Sequence, residues 1–267
     1  MEWMVFLQSI MLGVVEGLTE FLPVSSTGHL IIVGDALGFT GEKAKTFQIF
    51  IQLGAIMGVM GYYRHKVTCL LIGLHRAPEQ RFVFNLLIAF LPAAIVGVLA
   101  HQHIKAYLFS PLSVAAALIT GGFAILLIEW WPRRERVTDL DQVTPRDALK
   151  IGVALMVSLV LGISRAGATI MGGLVAALSR TAATECSFVL AMPTMLAATL
   201  YDLSTNLHLL DAGDAGTFAV GFVTAFLTAL GVVKTLLVYV SRHRFVPFSS
   251  DSGLGSIELH ASNAKQR

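Results

Sequence analysis

The chain has 267 residues, of which 55% are hydrophobic and only 13% charged, with a net charge of +2 and a mean hydropathy of +0.73. Soluble domains carry about 25% charged residues, so this composition excludes an ordinary soluble globule, a disordered chain and a coiled coil. It indicates an all-α polytopic membrane protein with one embedded domain, and the small net charge gives no reason to expect a nucleic-acid partner.

The N-terminal MEWMVFLQSI lacks a cationic stretch and a small-x-small cleavage site, so no cleaved signal peptide is expected. Residues 3–37 are apolar but interrupted by PVSSTGH. Each half is roughly 12–15 residues, too short to cross a bilayer, and the pair fits a re-entrant hairpin. Runs 47–63, 82–100 and 114–131 are long enough to cross. Residues 148–178 form a second broken region, interrupted by GISRAGA. Run 185–203 opens on a charge but continues as a span, and 217–240 is the last crossing. Pro92 and Pro193 are read as kinks that neighbouring helices satisfy. Residues 249–267 read as a polar, disordered tail. Cys69 and Cys186 fit neither a disulfide framework nor a zinc site.

Loop charge sets the orientation. Arg64, Lys66, Arg76 and Arg81 share one loop, Arg133, Arg134, Arg136, Arg146 and Lys150 another, and Arg242 and Arg244 follow the last span. These are cytoplasmic by the positive-inside rule. Loop 101–110 has only Lys105, and 204–216 has Asp211 and Asp214 without a cation. The parity holds only if both broken regions are re-entrant, the first from the outer side and the second from the cytoplasmic side. The breaks also match each other: Ser25-x-x-Gly28 with Gly34 corresponds to Ser164-x-x-Gly167 with Gly173. Opposite-facing copies of one unit form an inverted repeat, about 1–135 and about 146–245 within a single domain 1–248.

Glu16, Glu20, His29, Asp35, Arg165 and Arg180 fall in or beside the broken regions. A charge at mid-bilayer costs about 2.5–3.5 kcal/mol, so such residues are functional by default. The structural alternative is a buried ion-pair network. Glu16 and Glu20 share one helix face. Their repulsion would be relieved by Mg²⁺ or Ca²⁺, or by one carboxyl acting as general acid or base. Ser25, Ser26, Thr27 and Gly28, at the start of a helix, make an oxyanion or phosphate cradle. His29 is suited to proton transfer or nucleophilic attack. In the second break, Arg165 offers a fork for phosphate beside Ser164, Gly167 and Thr169. Arg180 is expected to pair with Glu185, and Lys234 to snorkel. The set Glu16, Glu20, His29, hydroxyls and Arg165 describes phosphoryl transfer or phosphate hydrolysis on a substrate with a lipid tail.

EGLTEFLPVSSTGHL at 16–30 closely resembles the first signature of the undecaprenyl-diphosphate phosphatase family, also called bacitracin resistance protein. GISRAGATIMGG at 162–173 is similar to its second. The resemblance runs to about Phe248. It implies a multi-pass hydrolase of the bacterial inner membrane that converts undecaprenyl diphosphate to undecaprenyl phosphate and inorganic phosphate, recycling the carrier for peptidoglycan synthesis. It also implies an inverted repeat with two re-entrant hairpins and about six transmembrane helices, a site open to the periplasm and a divalent cation. Glu16 and Glu20 become the acidic pair, Ser26, Thr27 and His29 the phosphate loop, and Ser164 and Arg165 the diphosphate grip. A homodimer is compatible with these features and not specified by them. Two positions depart from the family pattern: Leu161 stands where Pro is usual, and Ala166 where Ser is usual, which removes one expected phosphate donor. The attacking group is left open between Ser26, His29 and a water activated by Glu20 or His29. A lipid-phosphate flippase would use the same site. The other class of lipid phosphatases needs a His after the Arg, which AGATIMGGLVAAL lacks, and a membrane scaffold does not explain the buried charges.

Overall fold

The structure is a computed structural model that describes residues 2–108, 111–132, 134–160, 162–206 and 212–249. The helices in chain order are α1 (Glu2–Thr19), α2 (Ser26–Ala36), α3 (Glu42–Tyr62), α4 (Arg64–Gly73), α5 (Ala77–Leu108), α6 (Pro111–Trp130), α7 (Pro145–Val157), α8 (Arg165–Val175), α9 (Arg180–Asn206) and α10 (Ala215–Val240). Among the described residues the only β-type pairing is an isolated bridge, Val137 to Leu178. Arg133, Leu161, Asp211 and the tail from 250 onward lie outside the described residues.

All five expected crossings are helical. Those within α3, α5, α9 and α10 are long and apolar enough to span, and α6 adds a largely apolar helix of 20 residues. Outward-facing Leu87, Val98, Phe123, Leu127 and Leu227 are each more than half exposed, an apolar surface that needs lipid as its solvent. The chain is a multi-pass membrane protein. α2, α7 and α8 have 11, 13 and 11 residues, short of the ~20 needed to cross. α1 is longer than its expected half, at 18 residues, because no Pro or turn signal interrupts it before Thr19. α4 is an unexpected helix inside the first basic loop. Leu71 and Ile72 on it are strongly exposed, beside the cations Arg64 and Lys66, as in a helix lying at the interface.

Small residues set the packing. α1 lies against α10, which also packs on α3, and α7 lies against α5 and α8. A Cβ on Gly17 would sit 2.7 Å from the Ala225 carbonyl of α10, and one on Gly152 of α7 would sit 2.5 Å from the Ala89 carbonyl of α5. Backbones can approach this closely only where a side chain is missing. Phe47, Phe50, Phe218 and Phe222 interlock edge-on or tilted between α3 and α10.

Charges at the basic end are paired. Arg180 does not pair with Glu185, contrary to expectation. Its Nε and Nη2 donate to the two carboxylate oxygens of Glu129, at 3.0 and 2.9 Å. Residues five apart point to different helix faces, whereas Glu129 is brought in by α6. Glu129 also accepts from the Phe245 backbone N–H at 3.1 Å. Asp147 closes a capping box with Thr144 at the start of α7 and accepts from Arg136 at 2.6 Å. These bonds fasten the 134–144 connector to the second hairpin.

Candidate active site

The two breaks are built alike. Ser25 is the N-cap of α2 and accepts from the Gly28 N–H. Ser164 is the N-cap of α8 and accepts from the Gly167 N–H at 3.0 Å. The repeated S-x-x-G is therefore a helix start, in which the serine oxygen satisfies the N–H three residues on. Gly162 precedes the second cap with φ of 98°, a backbone that L side chains resist. The tips touch: the Ser164 hydroxyl donates to the Leu22 carbonyl at 3.3 Å.

Glu20 follows α1 and lies between the tips, 5% exposed. Its Oε2 accepts from the Ser26 hydroxyl at 2.6 Å, and its Oε1 from Arg165 Nη2 at 3.0 Å. Arg165 Nη1 donates to the Ser187 carbonyl at 3.2 Å, and its guanidinium lies 5.7 Å from the Phe21 ring centroid, within cation–π range. Phe21 in turn meets Phe188 edge-on. Arg165 Nε is buried without a partner. Glu16, one turn before Glu20, is 1% exposed, and its Oε1 also has no partner.

Glu20, Ser25, Ser26, Thr27, Ser164 and Arg165 line one polar cavity of about 210 Å³, together with Gln52 and Ser158. A second cavity, about 510 Å³ and almost wholly apolar, runs between α6, α7 and α8. The two share Ser25, Gly162, Ile163 and Ser164 as a common wall.

Not every candidate faces the polar cavity. Glu16 is not part of the lining. His29 lies one turn inside α2, with Nδ1 2.7 Å from the Ser25 carbonyl, a contact in which the ring nitrogen must donate; it is not part of the lining. Gly28 contributes its capped N–H, and Gly167 lines the apolar cavity. Thr169 bonds Ser187 Oγ at 2.6 Å and the Arg165 carbonyl at 2.9 Å, so it holds α8 on α9. Asp35, in the last turn of α2, lies outside the lining. Ala166 is fully buried in the core and does not line the polar cavity. Its missing hydroxyl is therefore a change in packing, not the loss of a phosphate donor from the lining.

Three residues were missed. Gln52 and Ser158 each interrupt an apolar stretch, which is the signal that could have found them; Gln52 Oε1 accepts from Thr199 at 3.4 Å. Ser187 reaches Arg165 through its backbone carbonyl, a contact that leaves no trace in side-chain chemistry.

Residues 9–250 match the family described as bacitracin resistance protein BacA. A protein of Nitrosospira multiformis is 53% identical over 253 residues, covering 93% of this chain and 92% of its own. One of Methylobacillus flagellatus is 50% identical over 254 residues, covering 93% and 94%. One of Ectopseudomonas mendocina is 50% identical over 251 residues, covering 92% and 90%. All three are named undecaprenyl-diphosphatase. With the match running through both hairpins and every spanning helix, the chain belongs to the bacitracin resistance protein BacA family.

Proposed function

We propose that this protein removes the terminal phosphate of undecaprenyl diphosphate, yielding undecaprenyl phosphate and inorganic phosphate. It thereby recycles the lipid carrier for peptidoglycan synthesis and gives bacitracin resistance. It works as a multi-pass protein of the bacterial inner membrane, with the site open to the periplasm. The observation that carries this reading is the polar cavity of Glu20, Ser26 and Arg165 sharing a wall with an apolar cavity. A phosphate ester on a hydrocarbon chain needs both in contact.

Arg165 grips the diphosphate; its partnerless Nε is a donor ready for a phosphate oxygen. The Ser26 hydroxyl, already donating to Glu20, attacks the terminal phosphorus while Glu20 takes its proton. The bond from that phosphorus to the bridging oxygen breaks, and the electron pair leaves with undecaprenyl phosphate. Water then hydrolyses the phosphoserine, and Glu20 returns the proton. Ser26 is favoured over His29 because Ser26 lines the cavity whereas His29 is tied back to the Ser25 carbonyl.

Glu16 and Glu20 would hold a divalent cation, Mg²⁺ or Ca²⁺. The buried, partnerless Glu16 Oε1 fits such a ligand role. Among the described residues no group of three or more His, Cys, Asp or Glu side chains could hold a metal, so water and phosphate oxygens would complete the shell, as Mg²⁺ tolerates. When bound, the cation neutralises diphosphate charge. An inverted repeat of about 1–135 and 146–245 is supported by the matching caps, the touching tips and the α1–α10 and α5–α7 packing.

The test is phosphate release from a polyprenyl diphosphate by purified protein in detergent, with and without EDTA. Release that EDTA suppresses, and a phosphoenzyme mapped to Ser26, are the expected results. No release with Mg²⁺ or Ca²⁺ across pH would overturn the reading, and near-normal turnover by Ser26→Ala would overturn the serine nucleophile.

A further inference from the structure

Gln52 has no part in the steps above. It lies midway along the 21-residue α3, at a depth where a polar side chain is costly unless it is used, and it lines the polar cavity with Ser26 and Arg165. Its carbonyl end is engaged: Oε1 accepts from the Thr199 hydroxyl at 3.4 Å. Thr184 and Thr194, also on α9, bond back to the carbonyl four residues earlier, whereas the buried Thr199 turns its hydroxyl across to α3. The amide nitrogen carries two donors, and among the described residues no protein acceptor takes them.

Other donors of the cavity are committed. Ser26 donates to Glu20, Ser164 to the Leu22 carbonyl and Ser158 to the Leu155 carbonyl, while the charge of Arg165 is shared with Glu20. A diphosphate brings more acceptor oxygens than Arg165 alone satisfies. α3 returns along α2 after the connector 37–41, and Gln48, one turn before Gln52 on the same face, has its amide 3.7 Å from where a Cβ on Gly34 would sit. Gln52 therefore approaches from the side of α2, the helix that Ser26 opens.

We propose that the Gln52 amide nitrogen donates to a non-bridging oxygen of the phosphate that Ser26 attacks, with Thr199 as the positioning residue that turns it. This rests on the phosphatase reading above and adds a neutral donor from outside both hairpins. Phosphoryl transfer spreads negative charge over three equatorial oxygens, so the bond counts most in the transition state and shows in kcat more than in KM. A neutral amide supplies it without competing with Glu20 for Arg165.

The experiment measures phosphate release from farnesyl diphosphate by the purified full chain and three variants. Gln52→Leu nearly keeps the size and removes the donor: kcat falls about 10²-fold, as for one oxyanion donor, and KM changes less than about threefold. Thr199→Val lowers kcat about tenfold, since the amide stays but is free to turn. Gln52→Glu gives a readout that packing alone does not move. The introduced carboxylate repels phosphate when ionised and is an isosteric donor when protonated, so the ratio of variant to wild-type kcat rises at least about tenfold from about pH 8 to about pH 5.5. Glu20 and Arg165, the titratable groups of the lining, are common to both proteins and cancel in the ratio. A flat ratio, or Gln52→Leu within about threefold of wild type, overturns the assignment, while release by wild type leaves the phosphatase reading standing. If Gln52→Leu does not fold, the Gln52→Glu ratio decides alone. No release by wild type removes both readings.

Discussion

The two hairpins share a backbone device and divide the chemistry. Each breaks an apolar run, caps the following short helix with a serine and carries a glycine N–H into that cap. At the offset that aligns Ser25 with Ser164, Glu16 and Glu20 correspond to Leu155 and Leu159, while Ser26 corresponds to Arg165. One hairpin carries the carboxylates and the hydroxyl; the other carries the cation that pairs with them. Duplicated geometry therefore does not mean a duplicated site. The polar cavity lies where the tips meet, and each hairpin supplies what the other lacks.

The largest effect should come from making the first hairpin resemble the second. Glu20→Leu removes the acceptor of both Ser26 and Arg165, and turnover in a phosphate-release assay should fall by at least about 10³-fold, since the nucleophile loses its base and a buried cation loses its partner. Arg165→Lys tests the opposite half. The charge survives but the fork does not, and kcat/KM should drop on the order of 10²-fold; a loss of less than about threefold would show that only charge matters there.

The caps offer a gentler comparison. Ser25→Ala and Ser164→Ala should each cost about 1 kcal/mol of stability. Ser164→Ala should cost more, because that hydroxyl also joins the tips through Leu22; thermal unfolding in detergent measures both, and equal losses would argue that the tip contact contributes nothing.

The smallest effect concerns pH at the edge of the second hairpin. Burial alone would raise the Asp147 carboxyl, but bonds from Arg136 and Thr144 hold it below its ordinary value. A carboxyl lowered by folding contributes stability above its unfolded value near 3.8, and that contribution fades as pH falls through the lower folded value. Asp147→Asn should be less stable than wild type at neutral pH, with the gap narrowing in acid. A gap independent of pH would assign the effect to hydrogen bonding alone.

Much of the site was legible because lipid makes polarity conspicuous. Glu20, Ser26 and Arg165 stood out as polar groups in apolar runs, and they do meet. What was not legible was partnership. Nearness along the chain pairs Arg180 with Glu185, whereas the fold supplies Glu129 from 51 positions away. Proximity along the chain groups His29 and Thr169 with the cavity residues, but neither is part of the lining. A helix turn carries Thr169 toward Ser187 and ties His29 to the Ser25 carbonyl.

The sequence by itself determined the solvent, the five long crossings, the two breaks and the family signatures, because each is written in local hydropathy or in a contiguous motif. Only the tertiary structure decided that two tips 139 residues apart make one cavity, that Glu20 is shared by Ser26 and Arg165, and that an apolar groove adjoins them. Those facts depend on how α6, α8 and α9 are brought around the tips, and packing between distant helices has no period that a single chain's pattern can display.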